Sequence, residues 1–457
     1  MSHCGGLCGP GRGTAFWVVS IALAFLSWGS SNGLFHAGED DHTTEFIPWW
    51  NYAWGYRAPL TLDNSQNSET LTNYPVRINI SAGLQALVSS GKLKVDLADL
   101  RFIDCDGATE LSYWLEPGGD IWLKVPSIPS RSSKVVYMYY GNPSAPPVSS
   151  GDKVFNFFDD FSGNSLDTSK WLLIHPGSYS VSDGFFTIYA DGSLQPGKAI
   201  ALKASTENYY ILRSKFKITG GYDKDERIGL SIKTGTSDGR GYNYVLRGFT
   251  ALNEISFLDD FVRWDSRPGN WAKNTWYIEE IYHDGSSVRA RLNDGEWQSV
   301  GWSGRAGYPA LNFGSYDGSS VWDWALVRPY KPPEPKASLG QEERPVKFRS
   351  FSVAPVLLDE GDTVELNATF ENPAPEEIRI RVSIHDGESF EGSREIYGTE
   401  LALVPQAETE MNFTWIPEGG NHTVWLALMG TPLASRTLYV NRYPVLSPIM
   451  DQVASQG

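Results

Sequence analysis

The sequence predicts an all-β protein built from several domains, and three observations carry that expectation. Aromatic residues make up 13% of the chain, with 17 Trp and 22 Tyr, while 45 Gly and 27 Pro interrupt it throughout. Aromatic rings fit a pleated surface, and Gly and Pro supply turn geometry. Apolar and polar residues alternate with period two in many short stretches, as Val364, Leu366, Ala368 and Phe370 do against Glu365, Asn367 and Thr369. That alternation marks a half-buried strand. A chain of 457 residues is also longer than one core organises, so about three domains are expected.

The formal net charge of −16 argues against nucleic acid as a partner, because a duplex binder needs a basic face to displace counterions. An acidic surface keeps an exported protein soluble and attracts cations. Near the N-terminus, Thr14 to Trp28 (TAFWVVSIALAFLSW) is almost wholly apolar, Arg12 precedes it, and the first acid is Glu39. A basic start, an apolar stretch and small residues after it (Ser27, Gly29, Ser31, Gly33) describe a secretory signal. The stretch is short for a spanning helix, which needs about 20 apolar residues. The expected location is therefore extracellular or the cell surface, with a retained N-terminal membrane anchor or a pilin-like leader cut near Gly13 as alternatives. Cys4 and Cys8 precede the stretch, so cleavage leaves Cys105 alone, and no second pair completes a zinc site. Residues 1–47 read as this leader followed by a polar linker.

The first folded unit spans residues 48–147. Val76, Ile78 and Ile80 alternate with Arg77, Asn79 and Ser81 as one strand, and Leu84 to Ser90 form a short helix ended by Gly91. The stretches LRFIDCDG, LSYWLEP, IWLKVPSIP and VVYMYYGNP follow as strands with turn residues between them. Asp104-x-Asp106-Gly107 has the composition of a tight turn. The ordered motifs Trp54-x-Tyr56-Arg57-x-Pro59-Leu60, Asp99-Leu100-Arg101-Phe102, Leu111-x-Tyr113-Trp114, Trp122-x-Lys124-Val125-Pro126 and Tyr139-Tyr140-Gly141-Asn142-Pro143 resemble an uncharacterised extracellular β-domain family of prokaryotic surface proteins. That resemblance implies export and a place upstream of a lectin-like domain, and it supplies no activity.

The second unit spans 152–335. It opens Val154-Phe155-Asn156-Phe157-Phe158-Asp159-Asp160-Phe161 and closes Val321-Trp322-Asp323-Trp324-Ala325-Leu326-Val327-Arg328. These end strands resemble those of a concanavalin A-like lectin/glucanase domain, which implies a jelly roll of two antiparallel sheets that folds alone. Lys331 to Lys336 (KPPEPK) reads as the stiff linker that closes it. The third unit spans 345–443, where Ile378, Ile380, Val382 and Ile384 and later Met411, Phe413 and Trp415 keep strict alternation. Six or seven such strands suggest an immunoglobulin-like sandwich. EGDTVELNATFEN and FTWIPEGGNHTVWLAL resemble adhesion-related modules of prokaryotic surface proteins. Residues 444–457 read as a tail.

Enzymes of the lectin/glucanase class place Glu-x-Asp-x-Glu or Glu-x-Asp-x-x-Glu along one strand face, and no such motif occurs between Glu207 and Glu296. Glu279 and Glu280 are adjacent and point to opposite faces of a strand. Neither G-x-S-x-G nor H-E-x-x-H is present. The expectation is a protein that binds without catalysing.

Asp159 and Asp160 in the opening strand and Asp323 in the closing one meet if those strands pair, and they are the candidates for a structural Ca2+. Trp264, Trp271 and Trp302 sit among Gly, Pro, Ser and Arg, so they are expected in loops as rings for a sugar, whereas Trp276, Trp322 and Trp324 are expected in the core. Sequons at Asn79, Asn367, Asn412 and Asn421 are candidate glycosylation sites, the first three on the polar parity of their strands. The resulting reading is an exported, adhesin-like surface protein whose lectin-like domain binds glycan or another cell-surface ligand. A structural envelope or pilin-like component capable of self-assembly, or a cryptic glycoside hydrolase, are the alternatives.

Overall fold

The computed structural model describes residues 49–442 except 191–196, 205–208, 221–225, 250–251, 260–261, 303, 315–317 and 375–376. The leader with Cys4 and Cys8 and the tail 444–457 lie outside the described residues. Among the described residues no helix is long and apolar enough to cross a membrane. The architecture is all-β, in three sandwiches.

In the first sandwich, a five-stranded sheet runs in the order Lys336–Leu339, Tyr56–Asp63, Ser133–Tyr140, Arg101–Ile103, Glu110–Leu111. It faces a three-stranded sheet of Leu71–Ile78, Ile121–Ile128 and Tyr113–Leu115. Leu60, Val76, Ile78, Phe102, Leu123 and Met138 fill the space between. The expected helix forms at Ser81–Ser89, seats Leu84, and is followed by Gly91 at φ +69°, a left-handed conformation that glycine adopts without a Cβ penalty. Asp104 to Thr109 is a turn as the composition suggested. Its Asp106 Oδ1 accepts the N–H groups of Ala108 and Thr109, and Lys134 Nζ lies 2.7 Å from Asp104 Oδ1.

The second sandwich pairs an eight-stranded sheet with a seven-stranded one, the two-layer architecture of a jelly roll. Its first and last strands do pair, Asp159 opposite Ala325 and Phe158 opposite Leu326. Phe186, Leu212, Phe216, Ile228, Tyr244, Phe313 and Trp322 form its core. The third sandwich sets Lys347–Ala354, Val364–Asn372 and Ala407–Trp415 against a five-stranded sheet. In that sheet Leu357–Asp359 runs parallel to Thr431–Asn441. An immunoglobulin-like sandwich is built in this way, and it encloses a core of its own.

Two expectations fail at the joint between the first two units. The stretch after the jelly roll is not a free linker. Asn67 Nδ2 donates to the carbonyls of Lys331 and Pro333. Glu334 accepts from Tyr74 Oη at 2.6 Å and from Arg328 Nη1 at 2.6 Å. Lys336–Leu339 then pairs antiparallel with Tyr56–Asp63 as the edge strand of the first sheet, and Glu343 Oε2 accepts from Arg57 Nε at 2.6 Å. The first domain is therefore discontinuous, and the jelly roll is an insertion within it.

Nor is the jelly roll independent. Trp114 and Trp122 of the first domain pack with Val154, Phe155, Phe158, Trp324 and Leu326 of the second, and the Trp114 and Trp324 centroids stand 5.4 Å apart, edge to face. A buried side chain of this kind contributes about 1.5–3 kcal/mol. Trp324 thus serves the joint rather than the jelly-roll core, while Trp322 is core as expected. Beside the rings lies Arg213, fully buried, whose Nη2 donates to Glu116 Oε1 of the first domain at 2.9 Å. Its Nη1 lies 3.0 Å from Glu280 Oε1 and donates to Asp294 Oδ1 at 3.0 Å. Arg77 of the first domain grips Asp294 with two hydrogen bonds of 2.8 and 2.7 Å. Burial works against the Arg213 charge, but Glu280, Glu116 and Asp294 outweigh it and hold the guanidinium charged.

Two outcomes follow from this joint. A fragment of residues 152–335 bares Trp324, Leu326 and Arg213, so it should aggregate or lack a cooperative melt, whereas residues 49–343 should unfold in one transition. A cooperative, monomeric 152–335 fragment would refute the insertion as a folding constraint. Arg213→Met keeps the stem but leaves the buried Glu116 without its cation and Glu280 with Arg291 only in direct contact, a loss of about 3–5 kcal/mol measurable by urea denaturation.

Candidate functional site

The first domain covers the middle of one jelly-roll face, the outer side of the eight-stranded sheet. No described residue of the first or third domain hydrogen-bonds to the outer side of the seven-stranded sheet. Strand register writes out what that side carries. Core side chains at Ile228, Leu230, Tyr244, Leu246, Leu311 and Phe313 point inward, so their neighbours point out. One row across the sheet is Ile174, Lys198, Asn312, Gly229, Val245, Ser256 and Ser266. The next is Leu172, Ile200, Ala310, Ser231, Asn243 and Leu258.

At the centre this floor is polar and deep. Ser231, Asn243, Ser256 and Asn312 are no more than 1% exposed and Lys198 is 2% exposed. The Lys198 ammonium donates to Asn243 Oδ1, and Asn243 Nδ2 donates to the carbonyls of Gly241 and Leu258. Ser231 and Thr234 share a hydroxyl hydrogen bond of 2.8 Å. Toward the edge, Ser266 Oγ donates to Glu254 Oε2 at 2.8 Å, and Arg247 Nη1 stands 3.5 Å from the same oxygen. Asn312 differs from the rest. Its Oδ1 accepts from Gly314 N at 3.4 Å, but its fully buried Nδ2 has no partner. A buried donor left unsatisfied costs about 1–3 kcal/mol. Gly229 stands directly opposite it on the neighbouring strand, where a Cβ would collide with the Tyr244 carbonyl oxygen and Glu279 Oε2.

The residues singled out from the sequence lie elsewhere. Trp271 is 2% exposed and donates from Nε1 to the Glu254 carbonyl at 3.2 Å. Trp302 is 8% exposed and stacks on Tyr242, centroids 4.8 Å apart. Both rings belong to the jelly-roll core, so neither offers the open face a sugar needs, because local Gly and Ser content says nothing about which loops fold inward. Trp264 lies within the strand Val262–Pro268 rather than in a loop, and its side chain is outside the described residues. Trp276, expected in the core, is half-exposed.

The strands of Asp159 and Asp323 pair, with Asp159 opposite Ala325, but each carboxylate has its own partner. Asp159 Oδ2 accepts from Trp171 Nε1 at 2.7 Å and its Oδ1 from Phe161 N. Asp323 Oδ2 lies 2.7 Å from Lys215 Nζ. Asp160 is exposed and accepts from Ser162 N. Among the described residues no three His, Cys, Asp or Glu side chains gather as metal ligands do. Of the sequon asparagines, Asn79, Asn412 and Asn421 are exposed and Asn367 is half-buried. Asn367 and Asn412 stand directly opposite each other on neighbouring strands.

Glu279 and Glu280 do point to opposite faces. Glu280 lies under the first domain, where burial is outweighed by Arg213, Arg291 and Arg328 and its carboxyl is held below the usual range. Glu279 points between the sheets, and its Oε1 accepts from Leu230 N at 2.8 Å. Burial pushes its carboxyl well above the usual range, and the Leu230 hydrogen bond offsets this only in part. The two carboxyls are thus separated by the sheet itself.

Lys198, Asn243 and Asn312 were not legible as a site. Each occupies the polar parity of an ordinary strand, and only the pairing of four strands brings them together.

Comparison with known proteins adds the following. Residues 96–174 match a family model described as a domain of unknown function, DUF2341. That stretch crosses the joint and includes Trp114, Trp122, Phe155 and Phe158. No curated protein matches the chain. Among solved structures it is similar to a putative beta-glucanase from Mycobacterium abscessus, with 14% identity, 38% of this chain and 99% of that one covered, and a TM-score of 0.30. It is also similar to a beta-1,3-glucanase from Mycobacterium marinum (14%, 38% and 98%, TM-score 0.28). A third is the carbohydrate binding module CBM66 from Bacillus subtilis (12%, 37% and 95%, TM-score 0.26). Likeness at these values decides nothing about this chain.

Glu279 has a measurable consequence. Its folded-state pKa is raised above the ordinary 4.5. Its contribution to stability is therefore complete below that value and declines as pH rises toward the folded pKa, because the unfolded chain ionises first. Glu279→Gln should change the melting temperature little at pH 4 and raise it relative to the parent at pH 8. A variant equally or less stable than the parent at pH 8 would show that the carboxylate is paired there.

Proposed function

We propose that this chain is an exported, adhesin-like surface protein whose jelly roll binds glycan on the outer side of its seven-stranded sheet without hydrolysing it. The unpartnered Asn312 amide carries this reading. A buried donor without an acceptor is retained against its cost where a ligand supplies the acceptor, and sugar hydroxyls are such acceptors. Lys198, Asn243, Ser231 and Ser256 surround it with amide, hydroxyl and ammonium groups. The leader-like segment Thr14 to Trp28 supports export.

The non-hydrolytic part rests on the carboxylates. Hydrolysis of a glycosidic bond uses two carboxyl groups across the scissile bond, about 5–9.5 Å apart. Glu279 and Glu280 are divided by the sheet, and Glu254 on the floor is engaged by Arg247 and Ser266. The first domain occupies the middle of the eight-stranded sheet, which leaves the seven-stranded sheet as the other face of the jelly roll.

Asn312→Leu tests the reading because stability and binding should move in opposite directions. An apolar isostere removes an unsatisfied donor, so the melting temperature should rise. Removal of one ligand hydrogen bond should weaken glycan binding by about tenfold, measured on a glycan array and by calorimetry with the full chain. Unchanged binding would assign Asn312 to structure alone. Steady release of reducing sugar by the parent would end the non-hydrolytic assignment.

A further inference from the structure

The end of the eight-stranded sheet beyond the first domain carries a surface of another kind. Along Tyr210–Gly220, Leu212, Phe216 and Ile218 point into the core, so Arg213, Lys215 and Lys217 point out. Arg213 is buried in the joint and Lys215 is engaged by Asp323 at 2.7 Å. Lys217 forms no ion pair with a carboxylate among the described residues. Its Nζ stands 4.7 Å from the centroid of the Trp276 ring, and Lys215 Nζ stands 5.1 Å from the same centroid.

Trp276 is half-exposed on this side. Phe185 reaches it from the strand Phe185–Ala190, with centroids 5.7 Å apart and planes 28° apart. Two strands separate their backbones, so the rings span the sheet rather than fill a gap in it. Tyr189, on the same side of its strand as Phe185, is 51% exposed. Half-exposed rings forgo hydrophobic stabilisation, and an ammonium without a counter-charge among the described residues, on a chain of net charge −16, forgoes an easily found partner.

We infer that Trp276, Phe185 and Lys217 form a second glycan site, selective for sugars that bear a carboxylate. The apolar C–H face of a sugar ring packs on the aromatic pair, and the carboxylate meets the Lys217 ammonium. This site lies on the opposite sheet from Asn312 and is independent of it. Net repulsion between an acidic chain and a polyanion also means that retention requires a local cation.

Affinity electrophoresis of the full chain through polygalacturonate and through neutral laminarin tests it. The parent should be retarded by polygalacturonate, less so at raised salt. Trp276→Ala should weaken retention about tenfold. Lys217→Met, which keeps the apolar stem of a surface residue, should remove the preference for the acidic polymer and leave the melting curve in place. Lack of retardation of the parent, or parental retention by Lys217→Met, would each overturn the assignment.

Discussion

A single buried cation constrains the arrangement of the first two domains. Arg213 points away from the jelly-roll core, on a strand flanked by Trp324 and Glu280, where an isolated domain would leave it in water. Here it is fully buried, and a buried charge is tolerated only when opposite charges and hydrogen bonds surround it. Glu116 supplies part of that compensation from the first domain, and Trp122 orients Glu116 by donating from Nε1 to its Oε2 at 2.7 Å. The charge network sets the register of one domain on the other, while Trp114, Trp122, Phe155, Phe158 and Trp324 contribute the apolar burial.

The path of the chain reinforces that register. The segment that leaves the jelly roll comes back to complete the first sheet at Lys336–Leu339, and Glu342 and Glu343 then engage Lys92, Tyr140 and Arg57. Both ends of the jelly roll are consequently tied to the same small sandwich. Such a double connection resists hinge motion between the domains, because rotation would have to break a sheet ladder as well as an interface. The immunoglobulin-like module follows with its own core and belongs to neither.

Local pattern proved a good guide wherever a strand has one wet face. Val364–Asn372 and Leu71–Ile78 bury the residues their alternation singled out, and the opening and closing strands of the jelly roll pair as their composition implied. Pattern failed for the tryptophans. Trp271 and Trp302 sit among loop-forming residues and are core, whereas Trp276 sits in a strong strand and is half-exposed. Trp271 and Trp302 turn into the core of their own domain, and where another domain covers a sheet face the cover comes from residues nearly a hundred positions away, such as Glu116 against Arg213. The KPPEPK stretch misled for a related reason. Proline content describes local stiffness and is silent about whether a partner strand waits at the far end.

By itself the sequence determined the class and composition of the parts: three β-sandwiches, the acidic net charge and the absence of a Glu-x-Asp-x-Glu strand motif. Those properties follow from side-chain period and local composition, which adjacent residues carry. Tertiary structure alone decided that the first domain is closed by a strand from beyond the second, that Arg213 and Trp324 face a domain and not solvent, and that Lys198, Asn243 and Asn312 share one floor. The reason is that strand order within a sheet is a property of pairing, and pairing is settled by which distant hydrogen-bonding edges and charges find one another as the chain folds.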